Sequence, residues 1–168
     1  MMFYMYAKGT KTGDVKGSVT QKGRENSCLC SWYDMGVDTP TDKMSGFAAG
    51  KRIHRLFQVR KEIDAATPLF FQMATTNEVL KSVIFKYWRV GTGKIGTTGQ
   101  ETQHYTIELD NARIAALRQY TPEHQASETG NQHSTHDVEE LGFVYQKITV
   151  TWTQGGITAT DDWESPNV

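Results

Sequence analysis

The sequence predicts a mainly β fold: an antiparallel β-barrel of two packed sheets with one short flanking α-helix. Three observations carry that expectation. Over 143–153, Val144, Ile148, Val150 and Trp152 share one face, interrupted by Gln146, while Phe143, Tyr145, Lys147, Thr149, Thr151 and Thr153 take the other. Such alternation marks a strand with one buried and one wetter side. Similar stretches recur along the chain with hairpin-like links between them, which favours antiparallel pairing. Only around Leu69, Phe70, Met73 and Ala74 does the spacing change to the three and four residues of a helical face.

The elements follow in order. Met1, Phe3, Met5 and Ala7 alternate with Met2, Tyr4 and Tyr6, giving a first strand. Residues 9–26 are rich in Gly, Lys, Thr and Ser and read as a loop or ragged short strand. A second strand over 27–35 carries Cys28, Cys30 and Trp32 on alternate positions. Residues 36–50 form a long Gly, Asp, Thr, Pro and Ser loop, of a length usually kept for function. Alternation resumes over 51–63 with Ile53, Phe57, Val59 and Ile63 among basic residues. Thr67 before Pro68 matches an N-cap with proline at the first helical position, so a helix is expected over 68–76, stopping at Asn77 and plugging or flanking a barrel.

The strand over 79–90 has apolar residues on both faces, Ile84, Trp88 and Val90 against Val83, Phe85 and Tyr87, and is expected to be buried on both sides. After a polar Gly/Thr turn region at 91–103, Tyr105, Ile107 and Leu109 define another strand. Its register slips near Asp110 and Asn111, as a β-bulge would cause, and resumes with Ala112, Ile114 and Ala116. Residues 121–137 are a polar loop before the closing strand. With 168 residues, one domain over 1–168 is expected, with 155–168 as a C-terminal tail.

Composition excludes several function classes. With 18 basic and 19 acidic side chains the net charge is −1, which gives no electrostatic reason for nucleic acid or an anionic membrane as partner and little repulsion against self-association. No apolar run has bilayer-spanning length. The N-terminus lacks a basic region, an unbroken apolar core and a small-residue cleavage site, so export would need a dedicated machine without a cleavable leader. Cys28 and Cys30 pair poorly as a disulfide on one extended face and are expected as buried thiols of a protein made in a reducing cytoplasm.

Motifs that suggest chemistry are weak. His133, His136 and Asp137 are the alternative to a structural role, as ligands of a metal-dependent enzyme; their spacing fits no helical ligand motif and their neighbours are loop residues. His104 and Glu108 read as a solvated pair rather than an acid/base dyad. The run at 91–96 lacks the Gly-Lys-Ser/Thr ending of a phosphate loop. A monomeric ligand-binding sandwich would use Trp32, Trp88 or Trp152 to line a cleft. The basic run at 51–55 is expected to face water, a lumen or a neighbour's carboxylates.

Several segments taken together, 64–75 (DAATPLFFQMAT), 79–85 (VLKSVIF), 143–152 (FVYQKITVTW) and the tail 155–164 (GGITATDDWE), resemble the haemolysin co-regulated protein (Hcp) family, the TssD tube subunit of the bacterial type VI secretion system. The resemblance covers nearly the whole chain and departs most at 121–137 and 91–103. It implies a small two-sheet barrel with a flanking helix, without catalytic activity or cofactor. It implies a homohexamer whose rings stack into a hollow tube, exported with a VgrG spike by a contractile sheath, with effector proteins as lumen cargo. The loop over 33–51 resembles the family's extended loop, which reaches toward an adjacent subunit or ring. Candidate ring or subunit contacts are Asp38, Asp42, Lys43 and Lys51 on that loop, Tyr145, Lys147, Thr149 and Thr151 on the wetter face of the closing strand, and Trp163 in the tail.

Overall fold

The computed structural model describes residues 2–90, 101–122 and 136–163. Its elements are β1 (Phe3–Gly9), β2 (Gly13–Val15), β3 (Cys28–Asp34), β4 (Val37–Asp38), β5 (Ile53–His54), β6 (Phe57–Glu62), α1 (Thr67–Thr76), β7 (Leu80–Val90), β8 (Glu101–Tyr120), β9 (Val138–Val144), β10 (Lys147–Trp152) and β11 (Ile157–Asp162). Every pairing is antiparallel, in the order β11-β10-β8-β7-β1-β3-β6-β9, with β2 on the edge of β1. A further β8–β9 pairing closes six of these strands into a barrel. β4 and β5 form a separate two-stranded sheet. The mainly β barrel with a short helix is thus the fold that the alternation predicts.

β8 makes closure possible by changing partner halfway. Its first half, Tyr105 to Asp110, pairs with β10, and Arg113 to Tyr120 pairs with β9. Between them Asn111 has φ 50°, a left-handed conformation that asparagine tolerates better than most residues. The buried positions switch from Ile107 and Leu109 to Ala112 and Ile114, so the expected slip is where β8 turns from one partner to the other.

The closing strand differs from expectation. It is two strands, β9 and β10, broken at Tyr145 and Gln146, and the inward parity flips across the break. Leu141, Phe143 and Tyr145 are buried before it and Ile148 after it, while Val144 and Trp152 are exposed. A one-residue shift exchanges the faces of a strand, so one face cannot be read through the break. A similar irregularity between Cys30 and Trp32 leaves both thiols inside but turns Trp32 outward and Tyr33 inward. In β7 only the Val83, Phe85 and Tyr87 face is fully buried; Ile84 and Trp88 are half-covered and Val90 is exposed. The long loop holds β4, β5 separates from β6, and 157–162 of the expected tail is strand β11.

Helix α1 begins one residue earlier than expected, with Ala66 rather than Thr67 at the cap. No side chain caps the first turn; the turn before it is held by Asp64, whose carboxylate accepts from the Ala66 N–H at 2.9 Å. Asn77 ends the helix in the left-handed conformation, with its N–H on the Met73 carbonyl. Phe70 and Met73 are fully buried in the same core as Phe57, Phe85, Ile107 and Phe143, so one helical face seals the barrel. The Thr67 hydroxyl is used elsewhere. It donates to Glu139 Oε2 at 3.0 Å and accepts from Lys61 Nζ at 3.1 Å.

Those two residues form an ion pair at 3.0 Å with both side chains at 0% exposure. Lys61 Nζ also reaches Asp64 Oδ1 at 2.9 Å and the Glu62 carbonyl at 2.8 Å. Burial alone would lower the Lys61 pKa, but the Glu139 and Asp64 carboxylates hold it above its ordinary value. Cys28 and Cys30 lie in the same core as free thiols, and burial pushes both pKa values far up. They stay protonated and inert.

Candidate functional site

Two features of this fold are left open at its surface. The first is an arm. Residues 36–56 leave the barrel after β3 and return into β6, zipped at their base by the Val37–His54 and Asp38–Ile53 pairs. A bridge between Thr41 and Ala48 continues the zipper. The turn is fixed by Asp42, whose carboxylate accepts from the Met44 N–H and the Ser45 hydroxyl, each at 3.0 Å. These bonds to the charged form hold the Asp42 pKa below its ordinary value. At the tip Met44 is 96% exposed and Phe47 76% exposed. Two large apolar side chains on a well-hydrogen-bonded hairpin cover no core of their own.

The second feature is an edge. β11 pairs with β10 and ends the sheet path among the described strands. Residues 157–160 are exposed and uncharged, and Thr149 and Thr151 meet Thr160 and Thr158 across the pair at 3.3 and 3.2 Å. An uncharged open edge is a template for pairing with another chain.

The arm and the edge strand meet at Asp161. Its carboxylate accepts two hydrogen bonds from the Arg52 guanidinium and lies 2.6 Å from His54 Nε2. His54 Nδ1 is 3.0 Å from the Tyr145 hydroxyl, and its ring packs 4.7 Å from that of Trp163. Arg52 first, then His54, holds the Asp161 pKa below its ordinary value. Burial pushes the Tyr145 phenol up to about 12, aided by the Asp161 charge.

The sequence-stretch candidates therefore divide. Asp38 and Arg55 form an exposed ion pair at 2.6 Å within the arm, while Lys43 and Lys51 are exposed on it. Lys147 is 3.8 Å from Asp110, and the hydroxyls of Thr149 and Thr151 face β11. Tyr145 is turned inward rather than outward, because it continues the inward parity of Leu141 and Phe143 and the face changes only after it, with Ile148. Trp163 is exposed but leans on His54. Arg52, His54 and Asp161 were not singled out as a group. The basic run at 51–55 was visible, but its acidic partner lies over a hundred residues away.

On the outside of β1 and β7, Arg24 from the β2–β3 connection is sandwiched between the rings of Tyr4 at 4.8 Å and Trp88 at 4.1 Å, and is ion-paired with Glu101. Trp32 and Trp152 are likewise met by arginines, Arg60 and Arg89. His104 packs edge-on against Trp152, and burial lowers its pKa. Of the alternative metal set, His136 and Asp137 are exposed ahead of β9, and Asp137 accepts from the Thr121 hydroxyl at 2.7 Å. His133 and the run at 91–96 lie outside the described residues. Among the described residues no group of three or more His, Cys, Asp or Glu side chains is arranged to hold a metal ion.

Comparison with known proteins follows the same lines. A family model described as "Type VI secretion system effector, Hcp" matches residues 4–152. The "Major exported protein" of Pseudomonas aeruginosa is 32% identical, covering 97% of this chain and 95% of that protein. Among solved structures, a double mutant of Hcp1 from the E. coli EAEC 042 pathovar superposes with a TM-score of 0.80 at 29% identity, over 97% of this chain and 99% of that one. The secreted protein Hcp3 of Pseudomonas aeruginosa gives a TM-score of 0.75 at 26% identity, over 98% and 99% of the two chains.

Proposed function

The chain belongs to the Hcp family of the type VI secretion system, whose members are structural tube proteins and not enzymes. From that premise we propose that it assembles as a homohexameric ring, and that the rings stack into the inner tube. The tube is exported with a VgrG spike by a contractile sheath, from a bacterial cytoplasm. Its lumen carries small effector proteins.

The observation that supports assembly is the pair of unlike, unfinished surfaces on one subunit. The arm presents Met44 and Phe47 exposed at its tip, and β11 presents an edge that no other described strand covers. Two different patches on one molecule make a head-to-tail contact, which closes into a ring when the rotation allows. An apolar centre with a charged surround is the ordinary composition of such a contact. Asp38, Lys43 and Lys51 supply the charge on the arm, Lys147, Thr149, Thr151 and Trp163 lie on the opposing wall, and Asp42 shapes the tip rather than touching the neighbour. Tyr145 supports that wall from within. Sedimentation of wild type against Met44→Asp/Phe47→Asp tests this. The reading expects the wild type to sediment as an assembly and the variant to shift toward the single chain. Indistinguishable sedimentation of the two would remove the arm from the contact.

A further inference from the structure

Three aspects of the contact between arm and edge strand combine into a device. Apolar packing there is incomplete: Met35, Val37, Ile148, Val150 and Ala159 line a cavity of about 200 Å³ between the base of the arm and the β10–β11 pair. The outward positions of β11 bury little, so packing alone holds its far end weakly. The polar contacts, by contrast, are complete. The His54 side chain is 4% exposed and engaged at both ring nitrogens, and Arg52 grips Asp161 with two nitrogens.

The arm is also stiff enough to carry a displacement. Beyond the β4–β5 pair and the Thr41–Ala48 bridge, the Arg55 N–H donates to the Gly36 carbonyl at 2.8 Å, Ala49 to Pro40 at 2.8 Å and Asp42 to Phe47 at 2.9 Å. A shift at Arg52 and His54 is therefore passed along a hydrogen-bonded hairpin to Met44 and Phe47.

We infer that Arg52, His54 and Asp161 form a latch that couples the arm to β11, so that the two elements are ordered together or loosened together. Coupling between two sites is reciprocal. A partner that grips the arm tip steadies the edge strand, and a partner that pairs with β11 steadies the arm. Only its use in assembly rests on the tube reading, because the coupling belongs to the single chain. Tyr145 anchors the latch to the barrel through His54, and Trp163 covers the imidazole.

Amide hydrogen exchange resolved by peptide tests this on the full chain carrying Asp161→Asn, a substitution that keeps the side-chain volume and removes the charge. The latch predicts that peptides spanning 36–56 and 157–163 both exchange about tenfold faster, with those from β1 and β7 unchanged. Acceleration of 157–163 alone, or of neither segment, overturns it. If β1 and β7 also accelerate, the same comparison on Arg52→Gln decides, with the same two outcomes. Both chains are compared in the Met44→Asp/Phe47→Asp background, which the tube reading expects as the single chain, so ring formation does not contribute and failure here leaves that reading to its own mass measurement.

Discussion

Replacing Lys61 by methionine removes the ammonium from the centre of the barrel while nearly conserving its volume. Lys61 stands directly opposite Glu139 in the β6–β9 register, and both side chains are 0% exposed. The ammonium contacts Glu139, Asp64, Thr67 and the Glu62 carbonyl. Without it the Glu139 carboxylate keeps, among the described residues, the Thr67 hydroxyl alone, since its Oε1 already has no hydrogen-bond partner there. An uncompensated buried charge of this kind costs about 3–5 kcal/mol. For a chain of this size the melting temperature then falls by roughly 10 °C. Urea unfolding followed by tryptophan fluorescence, at fixed protein concentration because assembly adds to apparent stability, gives the value. The double variant Lys61→Met/Glu139→Leu removes both charges and should recover most of the loss, as apolar replacement of buried pairs often does. A Lys61→Met variant within about 1 kcal/mol of wild type would refute the argument that this pair is electrostatically closed.

Other consequences follow from the same physics. Glu78 accepts from the Lys11 and Thr12 N–H groups at 2.7 and 2.8 Å and from the Thr12 hydroxyl at 2.8 Å, so Glu78→Gln should cost about 1–2 kcal/mol in a thermal melt. The Asp161 pKa is depressed in the folded chain, so its stabilisation is present above the usual carboxylate range and lost as pH falls through the folded value. The protection of β11, taken relative to the intrinsic amide exchange rate at each pH, should therefore fall on acidification below that range in wild type and lose this dependence in Asp161→Asn. Cys28 and Cys30 are buried and protonated, so a thiol reagent should label neither at neutral pH until denaturant unfolds the barrel. Labelling at the rate of a free thiol in the native protein would contradict their placement.

Much of the barrel was legible because period-two alternation survives wherever one face is buried, as in β1 and β6. The slip in β8 was visible because Asn111 interrupts an otherwise regular pattern with a residue type that accepts positive φ. The irregularity after Cys30 left no such mark, since Ser31 fits an ordinary strand, and the flip at Gln146 was masked by apolar residues on both sides of it. The helix was placed within one residue from Pro68 and Asn77, yet Thr67 had a better partner than the cap in Glu139, seventy-two residues away. Arg52, His54 and Asp161 were unreadable as a group for the same reason. A local pattern carries no information about which basic run meets which acidic one, and β11 was hidden because a short Thr-rich segment after Gly155 and Gly156 looks like a tail. The arm itself was legible as a long loop, but its internal zipper was not.

The central claim is that this subunit completes itself only against copies of itself. Native mass spectrometry of the purified chain over a range of concentrations tests it most directly. The account predicts a dominant species of six times the 18.9 kDa chain mass. A single-chain mass persisting up to the highest concentration would contradict it.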